Sequence, residues 1–215
     1  MRRSFIVFIG IIAAATVAGG QQTGRVIDRI VARIEDDIIL QSQVKELGAF
    51  QQLVEGQSES DGQLLSELIE QWVVESEATA SRFPDPAQSE VDRELARLGS
   101  RFANLNAYSA KLSELGLSAT QVRQLLKRQI YVERYLDYKF RPSVQIESAD
   151  IDAYYRKELL PELAKKNQPA PTRAEVEDQI RELLTQRGIS DLTVKWLDET
   201  KSRLKIELTP GDAKS

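Results

Sequence analysis

Residues 29–40 read Arg-Ile-Val-Ala-Arg-Ile-Glu-Asp-Asp-Ile-Ile-Leu, and this stretch decides the fold. From Ile30 to Ile34 every second residue is apolar, a period that is typical of a half-buried strand. The acidic run Glu35–Asp37 then interrupts the apolar residues, as a tight turn does, and Ile38–Leu40 resumes them. The stretch therefore predicts a β-hairpin, although its turn lacks the glycine that favours short hairpin turns.

This hairpin needs a further partner, because two strands alone are not stable in water. The best third strand lies near the other end of the chain, where Leu204, Ile206 and Leu208 alternate with charged residues. The segments in between carry apolar residues at helical spacing, which predicts helices. We therefore expect a mainly α-helical fold in which one small antiparallel sheet joins the N-terminal hairpin to the C-terminal strand.

Three short sequences indicate where predicted helices begin. Ser60–Gln63, Ser118–Gln121 and Thr172–Glu175 each have the spacing of a capping box, in which the first and fourth residues satisfy each other's backbone N–H groups. The last predicted helix shifts its apolar phase near Gly188, which indicates a kink or a short break there. Residues 158–172, which include prolines and polar residues, are expected to form a linker.

Residues 1–20 have the features of a cleaved signal peptide. Arg2 and Arg3 precede the apolar run Phe5–Val17, which is too short to span a bilayer comfortably, and small residues follow the run. An uncleaved N-terminal anchor is the alternative. The pattern predicts a mature domain at residues 21–215 that is exported, periplasmic in a cell with two membranes, and without an integral membrane segment.

The composition excludes several classes of function. The chain has no Cys and no His, so it can form neither a thiolate metal site nor a Ser-His-Asp arrangement. Without Arg2 and Arg3 the 29 basic residues become 27, against 33 acidic ones, which argues against nucleic acid as a partner. No glycine-rich phosphate loop follows a predicted strand. We therefore expect no catalytic residues, no metal and no cofactor.

Tyrosines are the residues best suited to a binding role. Tyr131, Tyr135 and Tyr138 lie at helical spacing, on a stripe separate from the one that contains Val122 and Ile130. They form either a second core-facing stripe or an amphipathic surface that binds apolar peptide. In the second interpretation, the candidate peptide-binding residues are Tyr131, Tyr135, Tyr138, Tyr108, Tyr154 and Tyr155.

Three segments of the chain resemble SurA-type periplasmic chaperones. Ile27–Ile34, with the acidic turn and Ile38–Leu40 that follow, is similar to the mature start of that family. Arg128–Ile146, followed by the Tyr154–Tyr155 pair, is similar to the end of the family's N-terminal domain, and Ile180–Leu208 resembles its C-terminal helix and strand. The order and spacing of these segments extend the resemblance over nearly all of the mature chain.

The resemblance implies the chaperone core without its enzyme. In the family, one or two parvulin-type prolyl isomerase domains lie between the Tyr-Tyr helix and the last helix, whereas the gap around Leu159–Thr172 is too short for such a domain. The implied ligands are unfolded outer-membrane proteins or apolar and aromatic peptides, bound without ATP or a cofactor.

The function predicted in this way is that of an ATP-independent periplasmic holdase, an unfolded-protein-binding chaperone in outer-membrane protein assembly. A structural or adaptor protein that binds one folded partner is the alternative. A residual peptidyl-prolyl cis-trans isomerase is disfavoured, because the domain that would carry this activity is missing. A homodimer is compatible with either of the first two functions.

Overall fold

The computed structural model describes residues 28–209, whose two ends meet in a three-stranded antiparallel sheet. Strand β1 (Ile30–Ile34) pairs with β2 (Asp37–Leu40), and Glu35 in the turn takes a φ of 49°, a conformation that usually favours glycine. Strand β3 (Ile206–Leu208) pairs with the other edge of β1, so the strand order is β2-β1-β3. The predicted hairpin and its pairing with the C-terminal strand are confirmed.

Helices make up most of the remaining fold. In chain order they are α1 (Gln41–Glu55), α2 (Asp61–Ala80), α3 (Gln88–Gly99), α4 (Leu105–Leu115), α5 (Ala119–Phe140), α6 (Ser148–Tyr154), α7 (Leu160–Lys165) and α8 (Arg173–Lys201). None of these helices has both the length and the apolar character that crossing a bilayer requires. The predicted signal peptide at residues 1–20 lies outside the described residues.

The local sequence explains where the three longest helices begin. Ser60, Ser118 and Thr172 stand directly before α2, α5 and α8, as the capping-box spacings predict. In each box the third helical residue accepts a hydrogen bond from the backbone N–H of the cap, at 3.2 Å for Gln63 and 2.7 Å for Glu175. Each helix is therefore started by its own sequence and does not depend on distant contacts for its first turn.

The inner side of the sheet is buried more completely than a simple alternation predicts. Ala32 and Ile34 are fully buried, and Val31, which the alternation directs outward, is only 6% exposed. The register of β1 and β2 shifts between Ile30 and Ala32, and such an irregularity changes the direction of the side chains beside it. The buried strand residues form one core cluster with residues of α1 and α2, namely Val44, Leu47, Leu64, Leu68 and Ile69.

Two further core clusters lie along α5. The first joins α1, α3 and α4 to the start of α5 through Phe50, Leu53, Leu98, Leu112, Leu117, Val122 and Leu126. The second joins α2 and α8 to the end of α5 through Val73, Val74, Ala78, Tyr135 and Leu197. Leu204, which the sequence pattern includes in the third strand, packs against this second cluster instead, and the strand itself begins at Ile206.

Helix α8 is continuous over 29 residues, so the short break that was the second possibility near Gly188 is wrong. Gly188 is required because there is no room for a side chain, and not because the backbone needs flexibility. A Cβ at this position would stand 2.7 Å from Cγ1 of Val144. The extended segment after α5 therefore lies directly on α8. The shift in apolar phase reflects a change of partner along the helix, which contacts α6 in one part and α2 and α5 in another.

The connection before α8 is shorter than the predicted linker at residues 158–172. A π-helical turn (Tyr155–Leu159) leads from α6 into α7, so helical structure covers the first part of the expected linker. Residues 166–172 connect α7 to α8 without helix. The hydroxyl of Tyr155 donates a hydrogen bond to the carbonyl oxygen of Pro171 at 2.7 Å, which holds this connection against the π-helical turn.

Arg141 joins the end of α5 to α8. Its guanidinium donates to both carboxylate oxygens of Glu182, at 2.9 and 2.8 Å, and its Nε donates to Asp137 at 2.8 Å. The hydrogen bonds from Arg141, followed by one from Gln186, lower the pKa of Glu182 to about 2. Because the groups are well exposed, the pairing contributes more to the relative placement of the two helices than to stability.

The contact between β3 and β1 can be tested with Ile206→Asp. Ile206 pairs with the fully buried Ile34 and packs against the same core cluster, so an aspartate there should lower the free energy of unfolding by about 2–4 kcal/mol. Leu208→Asp on the same strand is the matched control, because Leu208 is 63% exposed. Leu208→Asp should lower the free energy of unfolding by less than about 0.5 kcal/mol. Urea unfolding of both variants is the measurement. Equal losses in the two variants would contradict the assigned register.

The close approach at Gly188 gives a second stability prediction. Gly188→Ala should destabilise the protein by about 1–3 kcal/mol, since the new methyl group would overlap Val144. Gly62→Ala in α2 meets no atom within 4 Å and should stabilise by about 0.5 kcal/mol, because alanine favours helix. Thermal unfolding of both variants is the measurement. Adding Val144→Ala to Gly188→Ala should recover part of the loss, and no recovery would show that the overlap is not the cause.

Candidate functional site

Three adjoining cavities lie along α5 between Leu125 and Tyr138, and together we name them the α5 groove. The first, between α1, α2, α5 and α8, has a volume of about 340 Å³; the second, between α3 and α5, about 400 Å³; and the third, between α5 and α8, about 800 Å³. Glu133 lines all three, while Leu136 and Thr193 line both the first and the third. Because α8 supplies one wall, the groove forms only when the C-terminal part of the chain packs onto α5.

The first cavity combines apolar walls with a small polar network. Its apolar lining includes Phe50, Val54, Leu125, Val132, Leu136 and Leu197. On one wall Glu67 accepts hydrogen bonds from Nε2 of Gln51 at 2.8 Å and from Nε2 of Gln71 at 2.9 Å. Burial, and next the negative charge of Glu59, raise the pKa of Glu67 above its ordinary value. The cavity therefore offers apolar area beside carboxamide and carboxylate groups.

The second cavity has a rim of alternating charges. Arg134 of α5 pairs with Glu90 of α3 at 3.2 Å, and the rim also includes Arg93, Arg97 and Arg101. Nη1 of Arg101 donates to the carbonyl oxygen of Val54 at 2.9 Å, so this side chain also links the segment after the C-terminal end of α3 to α1. The rim can contact a polar backbone or a charged side chain, while α1, α3 and α5 supply the apolar lining through Val54, Leu98, Leu126 and Ile130.

The third cavity has an aromatic edge. Tyr138 is 66% exposed, and its ring lies 5.3 Å from that of Phe83, between ring centroids. Both rings line the cavity, together with Leu136 and Ile189. An exposed tyrosine beside a partly buried phenylalanine gives an apolar face with a hydroxyl that tolerates water, an arrangement common at binding surfaces.

The predicted tyrosines of α5 gather around Phe83 but differ in exposure. The rings of Tyr131, Tyr135 and Tyr138 lie 5.7, 5.3 and 5.3 Å from that of Phe83. Tyr135 is only 2% exposed, and the hydroxyl of Tyr131 donates to the carbonyl oxygen of Phe83 at 3.3 Å. Tyr131 and Tyr135 thus belong to a second core-facing stripe, and Tyr138 is the member of the three that lines the α5 groove.

The other candidate tyrosines lie outside the α5 groove. Tyr108 packs on Phe102, with ring centroids 5.2 Å apart, in the cluster between α1, α3 and α4. The guanidinium of Arg187 lies 5.0 Å over the ring of Tyr154, and Tyr155 bonds to Pro171. The structure therefore does not bring the six tyrosines into one surface, and their role in peptide binding stays a prediction.

Sequence reasoning missed most of the residues that line the groove. Leu125, Val132 and Leu136 recur at spacings of seven and four, so a third stripe on α5 was readable from the pattern. The contributions of Gln71 and Thr193 had no such signal, because each is an ordinary polar residue within a helix. Their importance depends on which helices face each other, and this is a tertiary property.

The chemical groups in the groove are suited to holding a ligand by contact. Within residues 28–209, no group of three or more acidic, Cys or His side chains is placed to bind a metal ion. The groove supplies apolar area, carboxamides and charges of both signs, all of which are able to contact an extended polypeptide.

Neither a known protein family nor a curated protein matches the chain. The resemblance to SurA-type chaperones is therefore a prediction from the sequence, and the groove has to be interpreted from its own residues.

Two carboxylates should give opposite pH dependence of stability. The pKa of Glu67 is raised above 4.5, so ionisation of Glu67 opposes folding, and its cost appears as the pH rises above that value. The pKa of Glu182 is lowered from 4.5 to about 2, so its stabilising contribution, which is small because solvent screens the exposed pair, is present above pH 4.5 and is lost as the pH falls towards about 2. As the pH rises, the free energy of unfolding of Glu67→Gln should therefore increase relative to that of wild type. The free energy of unfolding of Glu182→Gln should decrease relative to that of wild type.

Urea unfolding of wild type and both variants between about pH 3 and pH 7 measures these differences. Parallel curves for all three proteins would contradict the assigned environments of Glu67 and Glu182.

Proposed function

We propose that the protein is an ATP-independent periplasmic chaperone that holds unfolded outer-membrane proteins in the α5 groove. The observation that supports this proposal most is the junction at Glu133 of three cavities lined by apolar side chains. A row of separate recesses suits an extended chain, whose side chains point alternately to opposite sides. A single small-molecule substrate would require one enclosed pocket instead.

The polar rim of the groove fits reversible holding. Arg93, Arg134 and Glu133 border the apolar lining, and a rim of this kind gives contacts that water can replace. Apolar recesses without deep enclosure favour moderate affinity, on the order of micromolar, which lets a client leave without ATP. The same arrangement does not select one sequence, since no set of convergent charges fixes a single partner.

The sequence supports the client class and the location. The resemblance to SurA-type chaperones implies unfolded outer-membrane proteins, and the signal-peptide features of residues 1–20 imply export to the periplasm. We further propose that the protein is not an enzyme. The short path from α6 to α8 through α7 supports this part of the proposal, because a parvulin-type isomerase domain does not fit in such a segment.

The proposal predicts that purified residues 21–215 delay the aggregation of a denatured outer-membrane barrel protein at equimolar amounts. Tyr138→Ser should weaken client binding by about threefold, because it removes an aromatic ring from the groove. Val194→Ser is the matched control, since Val194 is a 58% exposed apolar residue of α8 that lines none of the three cavities. Light scattering during dilution from denaturant measures protection, and fluorescence titration measures affinity.

Absence of protection by the wild-type protein would contradict the chaperone function. Crosslinking in cells then distinguishes the adaptor alternative, in which one folded partner is captured in place of many precursor proteins. If both serine variants protect equally well, the client binds elsewhere, and the α5 groove is not the holding site.

A further inference from the structure

Strand β3 is an edge of the sheet, and its outer backbone groups have no partner strand among residues 28–209. The carbonyl oxygen of Lys205 accepts a hydrogen bond from the turn after β1, and the backbone N–H of Thr209 donates to β1. The odd-numbered residues of this segment therefore direct their backbone groups towards β1. Because this direction alternates along a strand, Ile206 and Leu208 direct their N–H and C=O groups away from β1, to the open edge.

The open edge of β3 is accessible to another chain. Strand β1 is its main neighbour, and the exposed residues of the segment are Lys205, Glu207, Leu208 and Thr209. The β2 edge is more occupied, since the backbone N–H of Leu40 donates to Oε1 of Gln43 at 2.8 Å. A row of unpaired N–H and C=O groups is a template for an extended chain, so the ligand that fits the β3 edge is another strand.

The two faces of β3 differ in character. Ile206 packs against the core cluster of the sheet, and Leu208 shares its face but is 63% exposed. Lys205 and Glu207 lie on the opposite face, where Nζ of the lysine pairs with Oε1 of the glutamate at 3.2 Å. From Lys205 to Leu208 the strand therefore presents a positive, an apolar, a negative and an apolar side chain in turn.

This order of charges is self-complementary in one antiparallel register. When two copies of β3 pair with Ile206 opposite Ile206, Lys205 of each copy lies opposite Glu207 of the other. Only residues with outward backbone groups can exchange hydrogen bonds, so the nearest alternative registers are shifted by two residues. One of them places Glu207 opposite Glu207, and the other places Lys205 opposite Lys205. Directly opposed like charges destabilise a strand pair and opposite charges stabilise it, so the charges select the first register.

The same charges favour a second copy over an arbitrary strand. Charged residues on a short edge strand generally hinder its pairing with other chains. Lys205 and Glu207 disfavour any strand that lacks the complementary order of charges, whereas another β3 supplies that order in the selected register. The charge pattern thus works as a filter that a second copy of this chain passes.

We propose that β3 pairs antiparallel with β3 of a second copy, so that the three-stranded sheets of the two copies form one continuous sheet. The backbone N–H of each Ile206 donates to the carbonyl oxygen of Ile206 in the other copy. Each Lys205 then lies beside Glu207 of its own strand and opposite Glu207 of the other. So few residues cover far less than the roughly 800 Å² per partner of a stable complex, so the dissociation constant is on the order of 100 µM.

Sedimentation velocity of residues 21–215, between about 10 µM and about 1 mM, measures the dimer. Glu207→Lys should weaken dimerisation at least about tenfold, because it places like charges opposite each other. The double variant Lys205→Glu/Glu207→Lys restores opposite charges across the pair and should recover the affinity of wild type within about threefold. Both variants carry the same change opposite Arg33 of β1, so weaker pairing of β1 with β3 cannot explain a difference between them.

A second pair of variants tests the backbone hydrogen bonds. Leu208→Pro removes an N–H that points to the open edge, and proline is tolerated on edge strands when its nitrogen faces outward. The variant should therefore keep the pairing of β1 with β3 but lose the dimer. Leu208→Ala is the matched control, because it shortens the same side chain but keeps the N–H, and it should still dimerise. Thermal unfolding of both variants verifies that they remain folded.

Each outcome decides for or against the pairing of two β3 strands. A wild-type protein that is monomeric at about 1 mM would overturn it. A dimer that Glu207→Lys and Leu208→Pro both leave intact would show that the copies meet at another surface, and failure of the double variant to recover would exclude the selected register. If the protein is monomeric and Leu208→Pro abolishes protection of an unfolded client, the edge binds a strand of the client instead of a second copy.

Discussion

The pairing of β1 with β3 is the constraint on which the rest of the structure depends. It returns the chain from the end of α8 to the hairpin, where two hydrogen bonds join Lys205 to Glu35. The backbone N–H of Glu35 donates to the carbonyl oxygen of Lys205 at 3.0 Å. The backbone N–H of Lys205 donates to Oε1 of Glu35 at 2.7 Å. These bonds hold the turn residue Glu35 in its positive φ. They also fix the position of the end of α8. Because α8 supplies the outer wall of the α5 groove, they fix the position of that wall as well.

The surface of helix α5 is divided between packing in the core and lining the groove. Its start and its end enter different core clusters, through Val122 and Tyr135, both of which are almost completely buried. Between and beside these contacts, Val132, Glu133 and Leu136 remain at cavity walls. A helix that packed tightly on every side would add stability but would leave no groove. The recesses along α5 are thus a consequence of neighbours that surround this helix without fully covering it.

Apart from the pairing of the hairpin with the C-terminal strand, what could be predicted from the sequence was local. The hairpin, the third strand and the three capped helices follow from patterns of two to four residues, and the structure agrees with them. Gly188 was misinterpreted because a glycine required for close approach looks the same in sequence as one that breaks a helix. Only the position of Val144 tells the two apart. Likewise, spacing identified the tyrosines of α5 as one stripe, but the burial of Tyr135 and the exposure of Tyr138 depend on where Phe83 lies.

The meeting of β1 and β3 also determines the order in which the fold can form. Glu35 and Lys205 are 170 positions apart, so the sheet cannot be completed until nearly the whole described chain is present. Closing so long a loop costs little extra stability, since the entropy grows slowly with length, but contacts between distant residues form slowly. Until β3 arrives, one edge of β1 has no partner strand, and its unpaired backbone groups are open to pairing with any other extended segment.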